Sequence, residues 1–278
     1  MTSITERRYR DYIREASEHI QRLFDVEKVM HVTELRVRLD GSIDPKIKYW
    51  HWVTFDALTK MYREGKLKRR QRLGVYKLED ETEEGGKRGS KMTFYFPSRY
   101  SYSDVKDIVR EKLGIINDYS SKSSETGLYA ENIVKFALED SDFEVLGRNT
   151  RDFDRKKWKG PHDLDFIVKG TIENRIYGIQ VKNTLSYPDW DDVAGLIDIC
   201  DFFTIKPWFI SRQLPGDYIT DILNCGGYYT LFFNFIVPDK YEEMAGRMRS
   251  KLGLPVEWRE RTNLYYFKQK FEEVHGYP

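Results

Sequence analysis

From Thr5 to about Phe24 the apolar positions Tyr9, Tyr12, Ile13, Ala16, Ile20, Leu23 and Phe24 recur at steps of three and four, the spacing that gathers side chains on one face of an α-helix. A short helical stretch begins near Thr33, and a break containing Gly41 and Pro45 follows. Helical spacing resumes in TFDALTKMYREGKL, with Phe55, Leu58 and Met61 on one face. Thr54 is placed to cap the start of that helix and Gly65 to end it. Beyond Gly65, KLKRRQRLGVYKLE and SKMTFYFPS read as two strands, joined by DETEEGGKRG, whose glycines and charges suit an exposed hairpin tip. The polar stretch NDYSSKSSET then reads as a linker.

After that stretch the helical period returns at Thr126, with Leu128, Ile133, Val134, Ala137 and Leu138 apolar and Glu131 among them. DFEVLGR is a strand, a basic loop follows, and GPHDLDFIVKGTIENRIYGIQVKNT reads as two strands around a turn near Gly170 and Asn174. PDWDDVAGLIDI has the acidic first turn of a helix in Asp189, Asp191 and Asp192, and KPWFISR is a later strand. Tyr228, Tyr229, Phe232, Phe233 and Phe235 are expected in the sheet core. A chain of 278 residues is comfortable for two cores, and the expected division is 1–118 and 119–278. Over 28–98 the order of three helices and a long hairpin resembles winged helix-turn-helix domains, which implies DNA binding by the first half. In such domains the third helix enters the major groove and the hairpin touches backbone.

Composition narrows this reading. Hydrophobic residues at 40% and charged residues at 33% describe a globular chain, and no apolar run reaches the ~20 residues needed to span a bilayer, so no membrane partner is expected. The charged, helix-patterned start lacks an apolar signal core, which points to the cytoplasm, and Cys200 and Cys225 lack the paired spacing of a zinc site. A net charge of +1 gives no global basic footprint, so contact with nucleic acid has to be local. Lys66, Lys68, Arg69, Arg70 and Arg72 form one basic cluster, beside Lys60 and Arg63 on the preceding helix. Arg148, Arg151, Arg155, Lys156, Lys157 and Lys159 form another, while the run EDETEE at 79–84 would repel phosphate.

The hairpin near residue 172 carries the chemistry. Strand side chains alternate, so Asp163 and Asp165 share one face of the first arm, and Gln180 and Lys182 one face of the second. With the apex between Ile172 and Glu173, Asp165 lies opposite Gln180 and Asp163 opposite Lys182. The alternate positions Leu164, Phe166, Val168, Ile179 and Val181 are strongly apolar, so the sheet is expected to be covered on both sides. The polar cluster would then sit in a cleft where charges need partners or a metal. Each residue has a plainer explanation: Glu131 stands four before Lys135 as helix ion pairs do, Asp163 suits a strand edge, and His162 suits a loop.

A helix glutamate (Glu131), an aspartate before an apolar run (Asp165) and Gln180-Val181-Lys182 on the next strand resemble the PD-(D/E)xK nuclease superfamily. Over about 125–237 the layout looks like Mrr-type restriction endonucleases and archaeal Holliday-junction resolvases. The resemblance implies an α/β fold with a mixed central sheet flanked by helices, and Mg²⁺-dependent hydrolysis of DNA phosphodiesters, with Mn²⁺ as a substitute. It further implies catalytic Glu131, Asp165, Gln180 and Lys182, and a metal held by Asp165, Gln180 and the Val181 carbonyl, with Asp163 as an additional acid. Gln180 stands where many members carry glutamate and supplies less charge to a cation. The expected contacts to DNA are Lys60, Arg63, Lys66, Lys68, Arg69, Arg70, Arg72, Arg151, Lys156 and Lys157. The alternatives are a junction resolvase and a DNA-binding regulator that keeps the fold without turnover; cutting both strands would call for a homodimer.

Overall fold

The computed structural model describes residues 4–41, 43–44, 46–73, 91–185 and 187–274; the expected hairpin tip and its acidic run at 79–84 lie outside the described residues. Two compact units emerge, one of residues 1–123 with 243–255, the other of residues 124–242 with 256–278. The expectation of one contiguous block from 119 onward therefore needs correction: residues 243–255 belong with the first unit. Among the described residues no helix is long and apolar enough to cross a membrane.

The first unit contains α1 (Ile4–Val26), β1 (Met30–His31), α2 (Val32–Leu39), α3 (His51–Arg63), β2 (Leu67–Leu73), β3 (Lys91–Pro97) and α4 (Tyr102–Ser120). Its sheet is antiparallel in the order β1-β3-β2, which leaves β2 at an edge. The period along α1 buries Ala16, Ile20 and Phe24 against Leu35 and Leu39 of α2 and Leu58 and Met61 of α3. Each large side chain taken out of water there contributes about 1.5–3 kcal/mol.

Two expectations for α3 are corrected. The helix starts at His51, with Trp50 at the cap position, so Thr54 lies inside it and is buried. The preceding loop is pinned by the Asp40–Lys48 bridge and by the Tyr49 N–H to Leu39 carbonyl bond of 2.7 Å, which admits an earlier start. The inward face is consequently Val53, Ala57, Leu58 and Met61, and Phe55 faces solvent. Gly65 ends the helix as expected. It has φ +70°, where its missing Cβ removes strain, and the bonds Lys66 N–H to Met61 O (3.0 Å) and Gly65 N–H to Tyr62 O (3.1 Å) satisfy the last carbonyls.

The stretch read as a linker is helical. α4 runs to Ser120 and α5 (Ser123–Glu139) begins three residues later. The serines and aspartate that suggest a loop are satisfied within the helix: Ser120 Oγ donates to the Ile116 carbonyl at 2.8 Å, and Lys122 pairs with Asp118 one turn earlier.

From α5 the second unit continues through β4 (Phe143–Thr150), β5 (Asp152–Phe153), β6 (Lys156–Lys157), β7 (Leu164–Gly170), β8 (Arg175–Lys182), α6 (Trp190–Phe203), β9 (Lys206–Ser211), α7 (Gly216–Asn224), β10 (Tyr228–Leu231) and β11 (Phe235–Ile236). α8 (Glu242–Leu252) follows and falls almost wholly in the first unit; β12 (Val256–Glu257) and α9 (Glu260–Val274) return to the second. The central sheet has the order β10-β9-β8-β7-β4; β4, β7 and β8 run antiparallel, and β8, β9 and β10 run parallel. It is mixed, as expected, and helices flank it. On one face Ala130, Ile133 and Val134 of α5 and Phe267 and Phe271 of α9 pack on Phe166, Val168, Ile179 and Trp208. On the other, Val193, Leu196, Ile199 and Cys200 of α6 pack on Ile167 and Phe209. Gly178 permits this second layer, because a Cβ there would stand 2.5 Å from the Cys200 sulfur. Of the aromatics expected in the core, Phe232 and Phe235 are buried, whereas Tyr229 and Phe233 reach solvent.

Candidate active site

The β7–β8 hairpin has the pairs Phe166–Ile179, Ile167–Gly178 and Gly170–Arg175, the register that an apex between residues 172 and 173 requires. One step further along that register Asp165 meets Gln180. Their side chains touch: Gln180 Nε2 donates to Asp165 Oδ2 at 2.8 Å, and the Val181 N–H donates to the same oxygen at 2.6 Å. Asp165 is 9% exposed. Burial, more than any neighbour, pushes its carboxyl up to about 7; Glu131 and Asp163 push the same way, and the Val181 N–H and Lys182 only partly oppose them. The two hydrogen bonds fall on one oxygen, so Oδ1 is the one a cation can take.

Glu131 approaches from α5. Its position four residues before Lys135 does not make an ion pair, because Lys135 turns to Glu139 at 2.7 Å. Glu131 instead stands 3.9 Å from Arg148 of β4. It is half-buried and its carboxyl is raised, first by burial and then by Asp163, while Arg148 and Lys182 act to lower it. Glu131, Asp163, Asp165 and Lys182 thus share one electrostatic field. His162 lies against α6, its ring filling the space beside Gly195.

Lys182 has a partner that sequence reasoning missed. Its Nζ lies 2.7 Å from Asp192 Oδ1, and the other oxygen of Asp192 accepts the Asp189 N–H at 3.2 Å, which closes the first turn of α6. The acidic first turn was legible, but its reach across to β8 was not, since it depends on how closely α6 approaches the sheet. Asn183 was missed too. Its Nδ2 donates to the Ile236 carbonyl at 2.6 Å and the Thr126 carbonyl at 3.1 Å, and its Oδ1 accepts the Ile236 N–H at 3.1 Å. It therefore ties the end of β8 to the start of α5, the helix that carries Glu131. No spacing in the sequence signals it.

Among the described residues no three His, Cys, Asp or Glu side chains gather as a metal cluster. A hard cation at this hairpin would depend on one carboxylate, Asp165, together with neutral oxygens. The donor chemistry suits such an ion: Asp165 is buried beside further acids and holds its proton too tightly for an ordinary carboxylate, a state that a divalent cation relieves. Gln180 offers Asp165 its NH₂, so ligation would require the amide to turn its oxygen inward.

The expected DNA contacts fall in two separate places. Lys60 and Arg63 are exposed on the last turn of α3, and Lys66, Lys68, Arg69 and Arg70 are exposed at or just before the edge strand β2. Several already have company: Lys66 pairs with Glu64 at 2.7 Å, Lys68 donates to the Tyr100 carbonyl at 2.9 Å, and Arg69 lies over the Tyr62 ring at 4.5 Å. Arg70 and Arg72 lie over Tyr102 at 4.9 and 5.1 Å. In the second unit Arg151 donates to the Pro161 carbonyl at 2.7 Å, Lys156 to the Phe202 carbonyl at 3.2 Å, and Lys157 is 3.9 Å from Asp152. These last three frame the two-residue turn of the β5–β6 ribbon, where Asp154 and Arg155 have φ of 45° and 63°.

No family model matches the sequence, and no curated protein does. One solved structure is similar, the crystal structure of a repair endonuclease from Pyrococcus abyssi, at a TM-score of 0.27 and 9% identity, covering 52% of this chain and 58% of that one. The chain thus spans somewhat more than half the length of that relative. At this score the likeness establishes neither fold nor activity.

Proposed function

We propose that this chain is a Mg²⁺-dependent DNA endonuclease, with the active site at the β7–β8 hairpin and a winged-helix DNA-binding surface in the first unit. The observation that carries the reading is the buried Asp165, hydrogen-bonded by Gln180 and Val181 and surrounded by Glu131, Asp163 and Lys182. A divalent cation bound there would stabilise the charge that builds on phosphate oxygens and make bound water more acidic. Asp165 would hold it, with the Gln180 side-chain oxygen and the Val181 carbonyl. Glu131 accepts hydrogen bonds from water on the α5 side. Lys182 offsets phosphate charge, and to do so it exchanges Asp192 for the substrate. Lys60, Arg63 and the β2 cations supply phosphate contacts, because their present partners are weak surface interactions that a phosphate can replace.

One observation favours a second reading, a nuclease-fold DNA-binding protein without turnover: Gln180 directs its NH₂ at Asp165 while Asp192 holds Lys182. The test that separates the readings incubates purified protein with plasmid, modified plasmid and synthetic four-way junctions, with and without Mg²⁺, beside Asp165→Ala and Lys182→Ala. Mg²⁺-dependent cleavage lost in both variants supports the endonuclease. Binding without cleavage of any substrate supports the regulator, and preference for junctions identifies a resolvase.

A further inference from the structure

The rotation of α3 that turns Phe55 outward exposes more than one ring. Trp50, Trp52, Phe55 and Tyr62 are 49%, 37%, 53% and 40% exposed. Trp52, Phe55 and Tyr62 fall at helical steps of three and seven, so they form a stripe along one side of α3, about 15 Å long at 1.5 Å per residue. Trp50 extends it, its ring stacked on Trp52 at 5.4 Å and 5°. Cations border the stripe: Lys60 and Arg63 on α3 are exposed, and the Arg69 guanidinium covers the Tyr62 ring at 4.5 Å.

We infer that this stripe is a stacking platform for unpaired nucleotides, so that the first unit engages a single strand or a frayed end in preference to an intact duplex. The physical argument is one of complementarity. In a duplex the flat faces of the bases are hidden in the stack, and the major groove presents hydrogen-bonding edges and methyl groups. Protruding rings find little there, and they thicken a helix whose ordinary diameter of about 10–12 Å already fills a groove of about 12 Å. Unpaired bases present their faces, and aromatic side chains interleaved with Lys and Arg match the alternation of base and phosphate along a single strand. A protein partner would also cover apolar rings, but it has no need of the flanking cations. This inference rests on the first unit being the DNA-binding half and is independent of cleavage.

The test measures fluorescence anisotropy of the full chain in EDTA against a labelled oligothymidine and against a duplex of the same length. The single strand is expected to bind more tightly. Trp52→Ala and Phe55→Ala should each weaken it by about 5- to 150-fold, the range for loss of one stacked base, while changing duplex binding less than twofold. Trp52→Phe should restore most of the loss. Phe55 faces solvent, so the melting of Phe55→Ala should be unchanged, and Trp52→Phe keeps a ring beside Trp50; thermal melting would expose any variant that fails to fold. Single-strand binding indifferent to both substitutions would overturn the platform. So would sedimentation showing that the wild type self-associates and Phe55→Ala does not, since the stripe would then be a protein interface. Duplex binding without single-strand binding removes this inference alone, whereas no binding to either removes the DNA-binding reading with it.

Discussion

The two units each bury a carboxylate, and they treat it in opposite ways. In the first, Glu34 sits against Lys112 at 2.6 Å and accepts the His31 N–H at 2.6 Å; burial pushes its carboxyl up, and these partners pull it back. Lys112 in turn reaches the Val29 carbonyl at 3.0 Å. In the second, Asp165 receives only neutral donors, has two further acids in its field, and lies beside a lysine that is committed to Asp192. A raised proton affinity alone therefore does not mark a site, since both carboxylates have it. What separates them is the supply of positive charge: complete at Glu34, which is an internal tie between α2 and α4, and short at Asp165, as the proposed cation site requires.

Four effects would break or sharpen that contrast. The largest effect is expected at the second unit, where Asp165→Ala or Lys182→Ala should lower Mg²⁺-dependent cleavage by about 10²- to 10⁴-fold while circular dichroism still shows a folded chain. Residual cleavage near the wild-type rate, read on a plasmid, would dissolve the contrast. Next, Lys112→Ala should leave Glu34 buried without its cation and cost about 3–5 kcal/mol in denaturant unfolding. A cost below about 1 kcal/mol would mean that the first unit's charge is not an internal tie after all.

The third effect is a pH dependence. Asp165 holds its proton up to about 7 when folded and to about 3.9 when unfolded, so the stability it confers is fully present below about pH 4 and is lost as pH rises through 7. Asp165→Asn should therefore stabilise the metal-free protein at pH 8 by an amount on the order of 2–4 kcal/mol, read in denaturant unfolding and as a raised melting temperature, and leave it unchanged near pH 4. Wild-type protein with Mg²⁺ should show part of the same gain at pH 8. A variant less stable than wild type at pH 8 would contradict the charge shortage at this hairpin. Smallest is Gln180→Glu, which replaces a hydrogen bond by repulsion from Asp165. It should lower the metal-free melting temperature by a few degrees and tighten Mg²⁺ binding by about tenfold, a shift of about 1.4 kcal/mol readable by calorimetry.

The hairpin was the most legible part of the chain because strand alternation and a short turn leave little freedom: fixing the apex fixes every pair, and Asp165 meeting Gln180 follows. The helices were legible where apolar residues recur, as in α1, and less so where helix start and loop tether compete, as at Thr54 and Phe55 of α3. Polar composition misled at residues 117–126, since serine and aspartate can satisfy themselves within a helix as readily as in a loop. What could not be read at all are contacts set by tertiary approach. Lys182 to Asp192 depends on Gly178 admitting α6 close to β8, and the three bonds of Asn183 join segments more than fifty residues apart.

The return of α8 to the first unit changes how this protein must be born. Arg247 reaches Asp118 at 2.5 Å and Lys251 reaches Glu111 at 2.9 Å, contacts that exist only after the ribosome has added more than two hundred residues beyond α2. Translation therefore delivers the early helices long before the piece that completes them. The second unit waits as well, for a closing segment that starts at Val256, so neither unit is finished until the stretch from residue 243 onward is being made.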